Sequence, residues 1–277
     1  MTVQEALRFG ANALAAVPDP RIDAELLLCD TLHRERMTLL MQPAMELTDA
    51  QERRYRDCIA RRAARQPLQY IVGTQAFYGY DMLVDERALI PRPETEILCE
   101  RALISMEKVN SPCMADICTG SGAIAVTLKR SRPDAEVCAT ELSPEALALA
   151  RENARRNGVE IAFYPGDLLA PLRGCMLDCI VSNPPYIKTG ALDTLQPEVA
   201  REPRMALDGG ADGLLFYRRL AQEAAAYLKP GGRILVEFGD GQADEVAALF
   251  AASEQFTGIR VHRDLYGKRR ILEAARR

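Results

Sequence analysis

The stretch "ADICTGSGAIAV", Ala115 to Val126, decides the fold. It opens as an apolar run around one acid, Asp116, and continues as "AIAVTLKRS", which reads as helix. Gly120 and Gly122 stand between the two. Glycine accepts φ > 0 and lets a ligand approach backbone N–H groups, so a strand, a tight turn and a helix are expected in that order. The next strand-like run, "AEVCATE", ends in Glu141, about 20 residues past the turn, where an acid can accept hydrogen bonds from two ribose hydroxyls. The pattern G-S-G-A-I-A also fits the dinucleotide fingerprint, so this stretch points to an adenosine-containing ligand without saying which.

The alternation continues downstream. "SPEALALARENARRNG" reads as helix, "IAFYPGD" as a short strand closing at Asp167, and "MLDCIVSNPPY" and "GRILVEFG" as further strands. This pattern predicts a mainly parallel sheet with helices on both faces, an α/β architecture. "FTGIRVHRDLYGKRRILEA" looks like two strands around a turn at Tyr266-Gly267. That link is too short for a helical crossover, so the final strand is expected to be antiparallel.

Upstream, residues 1 to about 65 read as helices only. Val3, Leu7, Leu14 and Val17 form one stripe, ended by Pro18-Asp19-Pro20. "RIDAELLLCDTLH" and "RERMTLLM" follow, then the long basic "LTDAQERRYRDCIARRAARQ", where Thr48 or Asp49 with Glu52 resembles a capping box. "LQYIVGTQAFYGYDMLVD" is rich in β-branched and aromatic residues and reads as a strand pair. The expected organisation is a small all-α domain over 1–66, a linking hairpin over 67–93 and a catalytic α/β domain over 94–277.

Composition sets outer bounds. A chain of 277 residues, 48% hydrophobic and 27% charged, is an ordinary globular one of roughly two domains. A net charge of -4 speaks against a broad nucleic-acid surface, although Arg53 to Arg65 is locally basic. The eight cysteines include no C-x-x-C, which reads as buried thiols in a reducing compartment. Cys175 and Cys179 lack a nearby histidine pair, so no metal site is expected. The N-terminal residues lack the pattern of a secretory signal, and no run of about 18 apolar residues suggests a membrane span.

"IVSNPPYIK", Ile180 to Lys188, sets the chemistry. Proline cannot donate to a sheet ladder, so the strand stops at Asn183, which the following proline forces towards an extended backbone. The rigid elbow carries an amide at its tip and an aromatic ring beside it, on the same sheet edge as the glycine turn, where ligands of open α/β sheets bind. Hydride transfer would want an acid–base group, and the two histidines, His33 and His262, are poorly placed for it. Methyl transfer fits better. A sulfonium methyl needs no activation, whereas an amide nitrogen must be held in line and its N–H bonds polarised by acceptors. The Asn183 side-chain oxygen and the Pro184 carbonyl are the candidate acceptors, and the Tyr186 ring is a candidate platform for the planar target.

These residues resemble those of the release-factor glutamine methyltransferases of the HemK/PrmC type, over nearly the whole chain. The resemblance rests on "LIPRPETE" (Leu89 to Glu96), "DICTGSGAIA" (Asp116 to Ala125), "SNPPYI" (Ser182 to Ile187), "EPRMALDGGADGL" (Glu202 to Leu214) and "DLYGKRR" (Asp264 to Arg270). It implies a helical domain that grips the release factor, followed by a class I methyltransferase domain with a seven-stranded, mostly parallel, Rossmann-like sheet. The implied reaction is N5-methylation of the glutamine in the Gly-Gly-Gln motif of peptide-chain release factors by S-adenosylmethionine. Carried onto matching positions, Cys118, Thr119, Gly120, Ser121, Gly122 and Glu141 would hold the cofactor, with Asp167 and Leu168 near the adenine and Asn183 at the junction with the substrate. Asn183, Pro184, Pro185 and Tyr186 would bind the target glutamine. The same reading implies a cytoplasmic monomer without stable DNA binding or membrane association.

Two departures stand out. Cys118 replaces a glycine of the glycine-rich form, so φ > 0 is not expected there. Leu168 fills a place that can be aromatic, which predicts weaker adenine stacking. Arg92, Glu94 and Glu96 either order the cofactor pocket or simply start a helix. "LDGGADG" is either a functional loop or a turn. An adenine-N6 nucleic-acid methyltransferase shares Asn-Pro-Pro-Tyr and is the nearest rival; a non-enzymatic module on the same fold is the second.

Overall fold

A computed structural model describes residues 1–277. The chain divides into two compact units: Met1–Thr74 with Gln196–Arg201, and Gln75–Leu195 with Glu202–Arg277. No helix is long and apolar enough to cross a membrane.

The first unit holds α1 (Val3–Ala13), α2 (Pro20–Leu32), α3 (Arg36–Met41), α4 (Asp49–Ala63) and α5 (Leu68–Val72). Thr2 and Glu5 form a capping box on α1, and Thr48 forms one on α4 with Gln51. Glu52, one position too late to cap, takes the terminal ammonium of Met1 at 2.9 Å instead. A Cβ on Gly10 would lie 2.2 Å from the Tyr55 hydroxyl and 2.9 Å from Ala24, so glycine there lets α1 close onto α2 and α4. Leu68–Val72 is helix, not strand. Pro67 starts it, left-handed Gly73 (φ 82°) stops it, and burial of Tyr70 and Ile71 outweighs their β propensity. Much of the basic run is used internally. Arg62, its side chain 7% exposed, donates to Asp23 at 2.7 Å and to Glu198 at 2.8 Å, and Arg65 grips both oxygens of Glu198. This pairing holds the Glu198 carboxyl down to about 2 against the cost of its own burial.

The second unit opens with the hairpin β1 (Thr74–Phe77) and β2 (Tyr80–Leu83). Tyr78 and Gly79 both have positive φ, 52° and 79°, the geometry of a two-residue turn that matches strand twist. There follow α6 (Pro93–Ser105), β3 (Cys113–Ile117), α7 (Ala123–Ser131), β4 (Glu136–Glu141), α8 (Pro144–Arg156), β5 (Ala162–Pro165) and β6 (Leu177–Ser182). The chain then forms α9 (Arg204–Leu207), α10 (Leu215–Glu223), β7 (Leu228–Glu237), α11 (Ala243–Ala252), β8 (Phe256–Arg263) and β9 (Arg269–Arg276).

Seven strands pair in the order β5-β4-β3-β6-β7-β9-β8. β5, β4, β3, β6 and β7 are mutually parallel, and β9 runs antiparallel to both its neighbours. One face buries Leu220, Val246 and Phe250 from α10 and α11; the other buries Leu98, Ala102 and Val126 from α6 and α7. Register positions the site. Ile117 lies opposite Thr140 on β4 and Ser182 on β6, and Ser182 lies opposite Val236 on β7. Cys118 and Asn183, which follow β3 and β6, and Glu141 and Glu237, which end β4 and β7, therefore emerge along one edge. That edge is where strand order reverses about β3, the place such sheets bind ligands.

Candidate active site

Asp116 organises the turn after β3. One carboxylate oxygen accepts from the Thr119 hydroxyl and, at 3.1 Å, from the Ala125 backbone N–H. Its other oxygen is buried without a partner, and burial pushes the carboxyl up to about 7. Thr119 N–H reaches the Thr140 carbonyl of β4 at 3.0 Å. Held at both ends, the loop places Cys118 at φ 61°, contrary to expectation. The shape of the turn is set by these bonds, and a left-handed non-glycine residue costs about 1–2 kcal/mol, less than dismantling them. Gly120 (φ 55°) has nothing near its would-be Cβ, whereas one on Gly122 would sit 3.0 Å from Ala150 of α8. Gly122 thus serves helix packing and caps α7.

A cavity opens over this edge. Cys118, Thr119, Gly120 and Ser121 line it, as do Glu141, Asp167 and Leu168. Asn183 and Pro185 face it from the elbow; Gly122, Pro184 and Tyr186 do not line it. The Glu141 carboxylate accepts from Gly120 N–H with one oxygen and from Ser143 N–H with the other, both at 2.9 Å. Two bonds leave further lone pairs for a diol. The Asp167 carboxylate is paired with Arg219 of α10 at 2.9 Å, and Leu168 adopts φ 46°. Apolar Leu142, Ile124 and Phe216 complete the walls. Phe216 and Thr95 carried no sequence signal as wall residues: the one lies in an unremarkable helix, the other behind a proline that reads as a helix start.

The elbow is held from three sides. The Asn183 Nδ2 donates to the Thr95 hydroxyl of α6 at 3.1 Å, which leaves its side-chain oxygen free. The "LDGG" loop clasps the residues behind it: Ile187 N–H bonds Leu207 O at 2.9 Å and Gly209 N–H bonds Ile187 O at 2.8 Å. Gln242 donates to the Tyr186 carbonyl at 3.0 Å. The Tyr186 ring lies against Gly239 and packs on the core, and burial pushes its phenol up to about 12. The "PRPETE" and "EPRM" segments meet as well. Glu202, its side chain 1% exposed, pairs with Arg92 and accepts the Ile90 N–H at 3.0 Å, and Glu96 accepts the Tyr78 N–H at 2.8 Å.

The residues present suit an adenosyl ligand: a carboxylate beside a glycine loop, an apolar slot, and a free amide oxygen where the slot meets the elbow. Residues 5–73 match the PrmC N-terminal domain and residues 96–216 the methyltransferase small domain. A release factor glutamine methyltransferase of Moorella thermoacetica is 44% identical, covering 100% of this chain and 99% of that one. One from Deinococcus radiodurans is 46% identical over 95% and 93%. Among solved structures, a methyltransferase from Pyrococcus furiosus shares the fold at a TM-score of 0.53 and 18% identity, over 81% of this chain and 98% of that one.

Proposed function

Since the chain belongs to the release factor glutamine methyltransferases, we propose that its cavity binds S-adenosylmethionine and that Asn183 receives the target glutamine. The protein methylates a glutamine of peptide-chain release factors; family membership takes this over adenine methylation. The finer reading is transfer to the side-chain nitrogen, N5, of the Gly-Gly-Gln glutamine. A release factor as substrate supports a reaction alongside translation, in the cytoplasm.

The bound cofactor supplies an electrophilic methyl on a sulfonium. The chain's own residues do the rest. Glu141 would accept from the ribose hydroxyls. Cys118 to Ser121 would form the backbone cradle, and Leu168 and Phe216, both on the cavity wall, would hold the adenine. Phe216 offers an aromatic face that Leu168 lacks. The Asn183 oxygen and the Pro184 carbonyl would accept the two N–H bonds of the glutamine amide, drawing density onto the nitrogen as it becomes positive; one of those two protons then leaves to solvent, restoring a neutral amide. The proline pair keeps these acceptors fixed. The helical unit, residues 1–74, is the part proposed to grip the release factor.

The free oxygen of Asn183 at the cavity edge supports this reading most directly. Transfer of tritiated methyl to a purified release factor tests it. Label is expected on the normal factor and absent from a Gln→Ala variant of its Gly-Gly-Gln motif and from DNA. Asn183→Ala should keep cofactor affinity and lose on the order of 100-fold in rate. Glu141→Ala should weaken cofactor binding, on the order of tenfold for a lost charge-assisted bond. Label on DNA alone would overturn the glutamine assignment.

A further inference from the structure

Amide side chains are symmetric in shape but not in chemistry. Asn183 is useful as an acceptor only if its oxygen, not its NH2, faces the substrate. Rotating the amide by half a turn would present two donors to the two donors of a glutamine NH2.

Asn183 Nδ2 donates to Thr95 Oγ1 at 3.1 Å. Thr95 is 5% exposed, so its hydroxyl has little access to water. Having accepted from Asn183, that hydroxyl must direct its own proton to another acceptor. Glu237 provides one. It ends β7 one place beyond Val236, as Asn183 follows Ser182 on the neighbouring strand, and it is 2% exposed. Its Oε2 is buried without any partner. Burial pushes this carboxyl up to about 7, and hydrogen bonding to Thr95 and to Asn183 opposes that rise. Its remaining charged and titratable neighbours come from every side. Glu94 and Cys99 stand on α6, Arg270 on β9, Tyr186 after β6 and Tyr217 on α10.

We propose that Thr95 and Glu237 form a polarity relay that locks the Asn183 amide with its oxygen towards the substrate. The carboxylate can only accept, so Thr95 donates to it and accepts from Asn183. A reversed Asn183 would turn its oxygen towards this acceptor-rich corner, where it meets repulsion. Both are positioning residues, since neither touches the reacting atoms. The inference rests on the reading of Asn183 as the glutamine acceptor.

The test uses the whole enzyme with a release factor as substrate. Thr95→Val keeps shape and removes the hydroxyl; Thr95→Ser keeps the hydroxyl. The expected result is a kcat loss on the order of 10- to 100-fold in Thr95→Val, with cofactor Kd little changed and some stability lost because the Asn183 NH2 is left without its partner. Thr95→Ser should recover most of the rate, which a purely packing role would not predict. Glu237→Gln, able to donate as well as accept, should lose rate and also lose any acid limb of the kcat profile near pH 7. A readout independent of turnover is NMR exchange of the Asn183 side-chain NH2. It should be protected in the wild type and at least tenfold faster in Thr95→Val. Unchanged kcat and exchange in Thr95→Val overturn the relay. Failure of the wild type itself to label any release factor would instead refute the functional reading, and the exchange measurement would still judge the relay.

Discussion

The Glu202 carboxylate accepts the buried N–H of Ile90 at 3.0 Å while its other oxygen is gripped by Arg92, joining two segments 110 residues apart. Pro91, Arg92 and Pro203 all lie on the cavity wall, so this one side chain holds two of its faces together. Glu202→Ala strands a buried donor and a partly buried guanidinium. A stability loss on the order of 3 kcal/mol is expected, with weaker cofactor binding. Chemical denaturation and cofactor titration measure both. Glu202→Gln, which still accepts, should lose less.

Gly209 is tied to the Asn-Pro-Pro-Tyr elbow by contact rather than by conformation. A Cβ there would lie 2.7 Å from the Tyr186 Cα and 2.9 Å from the Pro185 carbonyl, all backbone. Gly209→Ala must therefore displace the Asn-Pro-Pro-Tyr segment. A shift near 1 Å costs on the order of 100-fold in rate. Steady-state kinetics should show kcat falling while cofactor affinity, which the proposed site places on the loops after β3 and β4, is retained.

Two buried carboxyls shape the response to pH. Asp116 and Glu237 are both pushed up to about 7 by burial. A carboxyl whose folded value is raised favours the protonated, folded form. Its stabilisation is full below the unfolded value near 4 and is lost as pH rises through about 7. Glu198, held down to about 2, acts oppositely: its contribution is present above 4.5 and lost as pH falls through about 2. The melting temperature should therefore be higher at pH 5 than at pH 8. Glu237→Gln should shrink that difference while lowering activity, a local trade of stability for function. An identical pH dependence in the variant would contradict the burial argument.

Cys118 sits at φ 61° with its side chain half-buried on the cavity wall. Glycine suits that backbone and alanine does not. Cys118→Gly should be more stable than Cys118→Ala by about 1 kcal/mol, although both lose the same thiol contacts. Paired thermal melts decide it; the opposite order would mean that the loop relaxes out of the left-handed region.

Much of the catalytic unit was legible because its signals are local. Alternating apolar runs specify strands and helices. Gly120 and Gly122 mark the turn, and Pro184 and Pro185 end β6 wherever the chain goes next. Parallel pairing then brings Glu141, Asp167 and Asn183 to one edge without further information. Other features were not legible for a common reason: their outcome depends on partners far along the chain. Leu68–Val72 has strand-forming residues, but burial of Tyr70 and Ile71 in the helical unit makes them helix. Arg62 looks like one more solvated charge until Asp23 and Glu198 enclose it.

The sheet, the glycine turn, the rigid elbow and the kind of chemistry they permit all follow from residues adjacent in the chain. How those parts are aimed depends on the packed fold. It forced Cys118 into a left-handed turn through the Thr119 bond to Thr140. It packed Tyr186 into the core against Gly239. It also turned the Asn183 amide by supplying Thr95 from a helix 88 residues earlier. Backbone conformation follows from neighbours in the chain, whereas the direction of a buried hydrogen bond follows from whichever donors and acceptors the fold brings alongside.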